Sequence, residues 1–272
     1  MHAGRKLENM RTVLITGAAG RIGSVFHQSV SDRYRLRLVD RQVAALDDSG
    51  PHEVIEANLA DLAVCQRLCQ DMDTIVHLAG DPSPAADFYD SLLDNNIKAV
   101  YNIFRAAKDQ GCRRVIFASS IQTIEGYPLD VQARPDMPVK PMNLYAAAKG
   151  FGELMGHYFA YAEGLSCIAV RVGAYGGNRE HTPENIDSRT LSAYVSPRDL
   201  CHLFVQCIEA PDVQFAVVQA VSDNRFKRMD ITSTRATVDY APQDDAFELF
   251  ETGIRHPARW FDERARHLTQ DD

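Results

Sequence analysis

No stretch of the 272-residue sequence approaches the roughly 18 consecutive apolar residues that a membrane-spanning helix needs. The opening segment, MHAGRKLENM, holds no apolar signal core. A soluble, cytoplasmic protein with no membrane partner is expected. Lysines and arginines form no cluster, and the formal charge is −8, from 29 basic against 37 acidic residues. A surface that tracks a phosphate backbone needs a basic stripe, so nucleic acid is not an expected partner. The six cysteines include no CxxC pair, and no histidine stands at zinc-ligand spacing beside Cys65 and Cys69. No metal site is expected, and the thiols, set mostly in apolar or helical stretches, are expected to be buried and reduced. Internal repeats and low-complexity segments are also absent. What remains is ordinary globular composition, 45% hydrophobic and 24% charged. A chain of this length hides roughly 70–75% of its unfolded surface and folds without a disulfide or metal staple.

Short β-branched runs alternate with longer helical patterns from residue 12 onward, the signature of successive βαβ units. Thr12–Thr16, Leu36–Val39, Val54–Ala57, Thr74–Leu78, Val115–Ala118 and Cys167–Val172 are predicted strands, each too apolar to face water. Ile22–Val30, Leu62–Cys69, Asp90–Lys108 and Leu144–Glu163 carry helical spacing, with Gly111 and Gly164 placed as helix stops. The expected fold is α/β, a Rossmann-type doubly wound parallel sheet over residues 11–172. A small substrate-side lobe and polar tail, intertwined with it, is expected over 173–272, where loops hold Gly176, Gly177, Pro183, Pro197 and Pro211. The two longest helices are apolar over more than one stripe: Leu92, Leu93, Ile97, Val100, Tyr101 and Phe104 in one, Phe151, Leu154, Met155, Tyr158 and Phe159 in the other. A helix covered by its own sheet alone needs one apolar face, so a homodimer or higher homo-oligomer is expected through this pair.

The segment Thr16–Gly23 reads TGAAGRIG, with Gly17, Gly20 and Gly23 directly after the first strand and opening the first helix. Gly17 allows the tight turn, Gly20 the approach of a pyrophosphate to the backbone, and Gly23 close helix–strand packing, while the helix N-terminus favours negative charge. Asp40 closes the second strand 23 residues after Gly17. A carboxylate there accepts both hydroxyls of an adenosine ribose and repels a 2′-phosphate, which favours NAD over NADP; Arg41 beside it works the other way. Asn58 and Leu59, after the third strand, are placed against the adenine. Tyr145 and Lys149, in YAAAK, share one helix face at four-residue spacing. An ammonium beside a phenol of ordinary pKa near 10 is expected to favour the phenolate and bring it into working range. The strand RVIFASS delivers Ser119 and Ser120 to the carboxyl edge, where open α/β sheets bind ligands.

This combination resembles the short-chain dehydrogenase/reductase family, in its extended branch, the NAD-dependent epimerase/dehydratase superfamily. Besides TGAAGRIG and YAAAK the likeness includes HLAG at His77–Gly80, NNIKAVYNIFRAAK from Asn95, FASS at Phe117–Ser120, RVGAYGG from Arg171 and YVSPRD at Tyr194–Asp199. It spans nearly residues 12–210. The resemblance implies Tyr145 as catalytic acid/base, Lys149 binding the nicotinamide ribose and lowering the tyrosine's pKa, and Ser120 holding the reacting oxygen. It extends the implied NAD contacts to Ala19, Arg21, Ile22, Leu78, Ala79, Gly80, Asn96 and Ser119, and assigns the HLAG segment to the cofactor, so that His77 packs at a strand end.

Within that branch, HLAGDPSP, NLYAAAKGFGE, SRTLS and VSDN look most like NAD-dependent uronate dehydrogenases and a related archaeal type acting on glucose 6-phosphate. Both oxidise the anomeric carbon of a free sugar to a lactone. The resemblance implies substrate contacts at Ser120, Ile121, Gln122, Ala174 and Arg189, with Arg189 gripping a carboxylate. The chain departs from the uronate pattern where Ile121 and Gln122 replace Asn and His, where Ala174 replaces a serine, and where the VSDN region lacks tryptophans. Two other readings stay open: a nucleotide-sugar epimerase or dehydratase using the same Tyr145, Ser120 and Lys149, and a non-catalytic NAD sensor. The first usually carries a larger C-terminal lobe, and a dehydratase needs acidic residues just after the serines, where this chain has none before Glu125. The second typically loses the tyrosine and lysine, which are both present here.

Overall fold

The strands and helices alternate as the sequence predicts. The computed structural model describes residues 10–46, 52–177 and 186–250. Strand β1 (Thr12–Thr16) is followed by α1 (Arg21–Val30), β2 (Arg35–Asp40), β3 (Glu53–Glu56), α2 (Leu62–Leu68) and β4 (Thr74–His77). Next comes a long helix that changes pitch, then β5 (Arg114–Ser120), a single 3₁₀ turn (Ile121–Ile124), α4 (Leu144–Glu163) and β6 (Ser166–Val172). The order across the sheet is β3-β2-β1-β4-β5-β6-β9, seven strands, all parallel. The chain reverses direction across the sheet between β1 and β4, which opens the crevice where such sheets take ligands.

Period-two alternation explains why these runs are so apolar. Val13, Ile15, Ile116, Ile168 and Val170 belong to a core on one face, and Leu14, Val115, Phe117, Cys167 and Ala169 to a second core on the other. Each face needs its own helical layer, and both have one. Local chemistry sets the helix starts: Asp61 accepts the amide of Ala63 at 2.8 Å to begin α2, and Asn143 accepts that of Ala146 at 2.8 Å to begin α4.

Two features differ from the expectation. The helix predicted over Asp90–Lys108 begins as a π-helix (Phe88–Lys98), with the Leu92 amide donating to the Asp87 carbonyl five residues back, and becomes the α-helix α3 (Ala99–Asp109). Such widened turns recur at functional sites. The second difference lies beyond Val172. After β7 (Ala174–Tyr175), α5 (Ser188–Ala193) and β8 (Tyr194–Val195), helix α6 (Pro197–Glu209) packs on α1, and β9 (Phe215–Ala220) joins the main sheet beside β6. The segment expected to form a substrate-side lobe intertwined with the first domain thus also adds a strand, not predicted from the sequence, to the main sheet. The lobe proper is the β7–β8 pair, α5, and the short helices α7 (Thr232–Val238) and α8 (Ala246–Leu249), with a small apolar cluster of Leu191, Tyr194 and Ala246. Pro183 and the tail from residue 251 lie outside the described residues. Among those described, no helix is long and apolar enough to cross a membrane.

Candidate active site

The glycine turn between β1 and α1 sits over the β1–β4 crevice, and packing requires glycine at both of its ends. Gly17 has φ +72°, and a Cβ there would lie 2.7 Å from the amide nitrogen of Ala79. A Cβ at Gly23 would lie 2.1 Å from the Gly17 carbonyl oxygen, so helix and turn touch only because Gly23 has no side chain. No side chain caps α1 at Gly20, which leaves its first amides to meet an anion. Asp40 accepts the Ala19 amide at 3.0 Å through Oδ2 and the Arg41 amide at 2.7 Å through Oδ1. This ties the end of β2 to the glycine turn.

Gly17, Gly20, Asp40, Asn58, Leu59, Leu78, Ala79 and Gly80 line one cleft of about 190 Å³. A glycine turn, a helix N-terminus and a carboxylate meet there, the set of groups that suits the adenosine half of NAD. The remaining residues of the expected cofactor set make contacts within the protein. Ala19 supplies the amide to Asp40. The Arg21 guanidinium donates to the carbonyls of Tyr175 and Gly177 at 3.5 and 3.2 Å, Ile22 packs on the core, and Gly23 lies under the turn. Asn96 accepts the Asp81 amide at 2.8 Å and donates to the Asp81 carbonyl at 3.0 Å, clamping the loop that follows Gly80. Its neighbour Asn95, unmarked by the sequence reading, lines the cleft. The widened helical turn carries both.

The reacting end is built by β5 and α4. Tyr145, 8% exposed, lies beside Ser120, whose hydroxyl accepts the Gln122 amide at 3.2 Å. Lys149 is buried, donates from Nζ to the Ala118 carbonyl at 2.8 Å, and stands 5.7 Å from the centre of the Tyr145 ring. Burial lowers the lysine's pKa to about 8. The expected lowering of the tyrosine by the lysine is not found. Burial raises the Tyr145 pKa above its usual value, the Ser120 hydrogen bond opposes that, and the Asp81 carboxylate adds to it. The ammonium is engaged by the Ala118 carbonyl rather than by the phenol oxygen. His77 accepts or donates at 2.7 Å with Thr16 through Nδ1, is fully buried, and has its pKa lowered to about 3 by burial and by the Lys149 charge. It is a neutral core histidine.

Ser119 donates to Glu153 Oε1 at 2.6 Å. Glu153 in turn takes a two-pronged contact from Arg171, at 2.9 and 2.8 Å. Position 153 continues the four-residue spacing of Tyr145 and Lys149 along α4, the signal that marks it.

The expected substrate residues separate. Ile121 is 6% exposed and belongs to the core, so it braces the site from beneath. Gln122 accepts from the Asn143 amide at 2.7 Å, linking the 3₁₀ turn to the cap of the helix that carries Tyr145. Ala174 lies in β7, paired with Tyr194. Arg189 faces Glu125, with Nε 3.2 Å from Oε2 and its second prong closer still on Oε1. Glu125 and Asp81 are two acidic groups at the site that motif spacing did not mark as contacts.

Residues 13–198 match the NAD dependent epimerase/dehydratase family. The chain is 34% identical over 255 residues to the NAD-dependent glucose-6-phosphate dehydrogenase of Haloferax volcanii, covering 87% of this chain and 95% of that protein. It is 33% identical over 245 residues to the uronate dehydrogenase of Agrobacterium fabrum, covering 90% and 89%. Among solved structures, a mutant uronate dehydrogenase from Agrobacterium tumefaciens complexed with NAD superposes with a TM-score of 0.78 at 33% identity, over 89% of this chain and 88% of that one.

Proposed function

This chain belongs to the NAD dependent epimerase/dehydratase family, and within it we propose an NAD-dependent dehydrogenase that oxidises a sugar or sugar acid at C1 to a lactone. The observation that carries the reading is the grouping of Tyr145, Ser120 and Lys149 at the carboxyl edge of the sheet, Lys149 Nζ 5.7 Å from the centre of the Tyr145 ring, with the glycine-turn cleft alongside. The cleft residues fit the cofactor: the Gly17–Gly23 turn cradles the pyrophosphate and Asp40 takes the ribose. NAD, when bound, supplies the hydride acceptor.

The protein's own residues do the proton chemistry. Ser120 holds the C1 oxygen of the sugar by a hydrogen bond, and Tyr145, as the phenolate, takes the C1 hydroxyl proton. The electron pair of the breaking O–H bond forms the carbonyl of the lactone as C1 loses its hydrogen with both bonding electrons. Lys149, its Nζ 5.7 Å from the centre of the ring, supplies a cation beside the phenolate charge. A screen of aldoses, uronates and sugar phosphates with NAD tests the reading. At least one should yield reduced nicotinamide, and a complete set of non-reacting sugars in the presence of bound NAD would leave only a nucleotide holder.

The same reading extends to assembly and location. Tyr101, Leu154, Tyr158 and Tyr161 on α3 and α4 are 44–64% exposed, an apolar face beyond the one turned to the sheet. It supports a homodimer formed through these helices, and a monomer by sedimentation at micromolar concentration would overturn it. Cys65, Cys69, Cys112, Cys167 and Cys207 are buried free thiols, which suits a reducing cytoplasm.

A further inference from the structure

We propose that Glu125 sets the charge preference of the sugar site by holding Arg189 in an ion pair, matching the site to an aldose whose far end carries hydroxyls rather than a carboxylate or phosphate. This rests on the dehydrogenase reading above.

Glu125 caps the C-terminal end of the 3₁₀ turn whose N-terminal cap is Ser120, the partner of Tyr145. At a rise of about 2 Å per residue the turn sets Glu125 about 10 Å from Ser120, the scale of one sugar with its exocyclic group. Arg189 approaches from α5, and its Nε and one terminal nitrogen each meet a different carboxylate oxygen of Glu125. This fork-on-fork contact is the geometry with which an arginine would otherwise receive a substrate carboxylate. The carboxylate is the inner partner, its side chain 16% exposed against 41% for the guanidinium.

Behind the pair stands Arg228, 4% exposed, with its terminal nitrogens donating to the carbonyls of Tyr127, Pro128 and Val131. Its charge interacts with those of Glu125, Arg189 and Asp130. Among the described residues, these two cations and two anions balance, so the four groups carry no surplus positive charge for an incoming anion. A uronate or sugar phosphate would have to displace Glu125 from Arg189 and leave that carboxylate sheltered beside a like charge, which is unfavourable on both counts. A hydroxyl end group needs no displacement. It accepts from the exposed edge of the guanidinium or donates to the carboxylate.

The test compares kcat/KM for D-glucose, D-galactose and L-arabinose with that for D-glucuronate, D-galacturonate and glucose 6-phosphate, in wild type, Glu125→Gln and Glu125→Ala. Wild type should favour the uncharged sugars, and freeing Arg189 should raise the ratio of anionic to uncharged substrate by about tenfold or more. Adding Arg189→Ala to Glu125→Ala should cancel that gain. A wild type that favours an anionic sugar overturns the proposal without any variant, as does an unchanged ratio in Glu125→Gln. If no sugar reduces NAD in any of the proteins, the dehydrogenase reading fails separately. Calorimetric titration of D-glucuronate into the NAD-loaded proteins then decides the present point: tighter binding to Glu125→Gln supports it, and equal binding to wild type and variant overturns it.

Discussion

The Lys149 ammonium stands 5.7 Å from the centre of the Tyr145 ring, yet its hydrogen bond goes to the carbonyl of Ala118, at 2.8 Å. Burial lowers the lysine to about 8 and raises the tyrosine above its ordinary value. The competent pair, phenolate with ammonium, carries one proton, the same number as phenol with neutral amine. Its population is therefore greatest between the two titrations. We expect kcat/KM for the sugar to rise with pH up to about 8 and then level off until the tyrosine itself ionises. In Lys149→Arg the cation does not titrate, so the rise should continue to the higher pH at which Tyr145 loses its proton. A pH–rate profile that declines from about 8 upward in the wild type would contradict this. Stability moves with the same sign. A lysine lowered from 10.5 to about 8 in the folded protein binds fewer protons than in the unfolded chain between those values, so folding gains stability as pH rises through that window.

Asp40 joins the end of β2 to the glycine turn through the Ala19 amide. Asp40 and Arg41 both line the cleft, and in the proposed NAD complex the carboxylate would accept ribose hydroxyls and repel a 2′-phosphate. Asp40→Ala should raise the NADP-to-NAD ratio of kcat/KM by about tenfold or more, since the repulsion is removed and Arg41 remains. Steady-state kinetics with both cofactors gives the answer, and an unaltered ratio would mean that Asp40 does not face the ribose.

Glu153 and Arg171 form a buried two-pronged ion pair, 7% and 2% exposed, with the Ser119 hydroxyl on the same carboxylate. Nε and one terminal nitrogen of Arg171 are satisfied, whereas the other terminal nitrogen, NH1, has no hydrogen-bond partner among the described residues. Glu153→Gln strands that cation in the interior, a change that costs about 3–5 kcal/mol. Urea unfolding should show a lower midpoint with an unchanged slope. A midpoint within error of wild type would show that the pair contributes little to stability.

Much of this architecture can be read directly from the chain because both faces of the sheet are covered. Val13–Ile15 and Val115–Phe117 must then be continuously apolar, and the helices between them stand out by contrast. TGAAGRIG and YAAAK are equally plain, since local backbone geometry and helical spacing determine what they do. β9 escaped notice because its FAVVQA follows a proline-interrupted stretch and pairs with β6, nearly fifty residues earlier in sequence. Ile121 was expected at the sugar, but the 3₁₀ turn after Ser120 rotates it into the core. The Glu125–Arg189 contact joins residues 64 apart, and no local pattern encodes it. The tyrosine's raised pKa likewise follows from burial and from the Asp81 carboxylate, which only three-dimensional placement reveals.

The most direct test of the account follows reduced nicotinamide by its near-ultraviolet absorbance while a reactive sugar, with hydrogen or deuterium at C1, is oxidised by wild type and by Tyr145→Phe. The account predicts that deuterium slows the wild type by a primary isotope effect. It also predicts that Tyr145→Phe lowers turnover about a hundredfold or more, with NAD affinity measured by titration nearly unchanged. Full turnover by Tyr145→Phe, or deuterium appearing anywhere but on the nicotinamide, would contradict it.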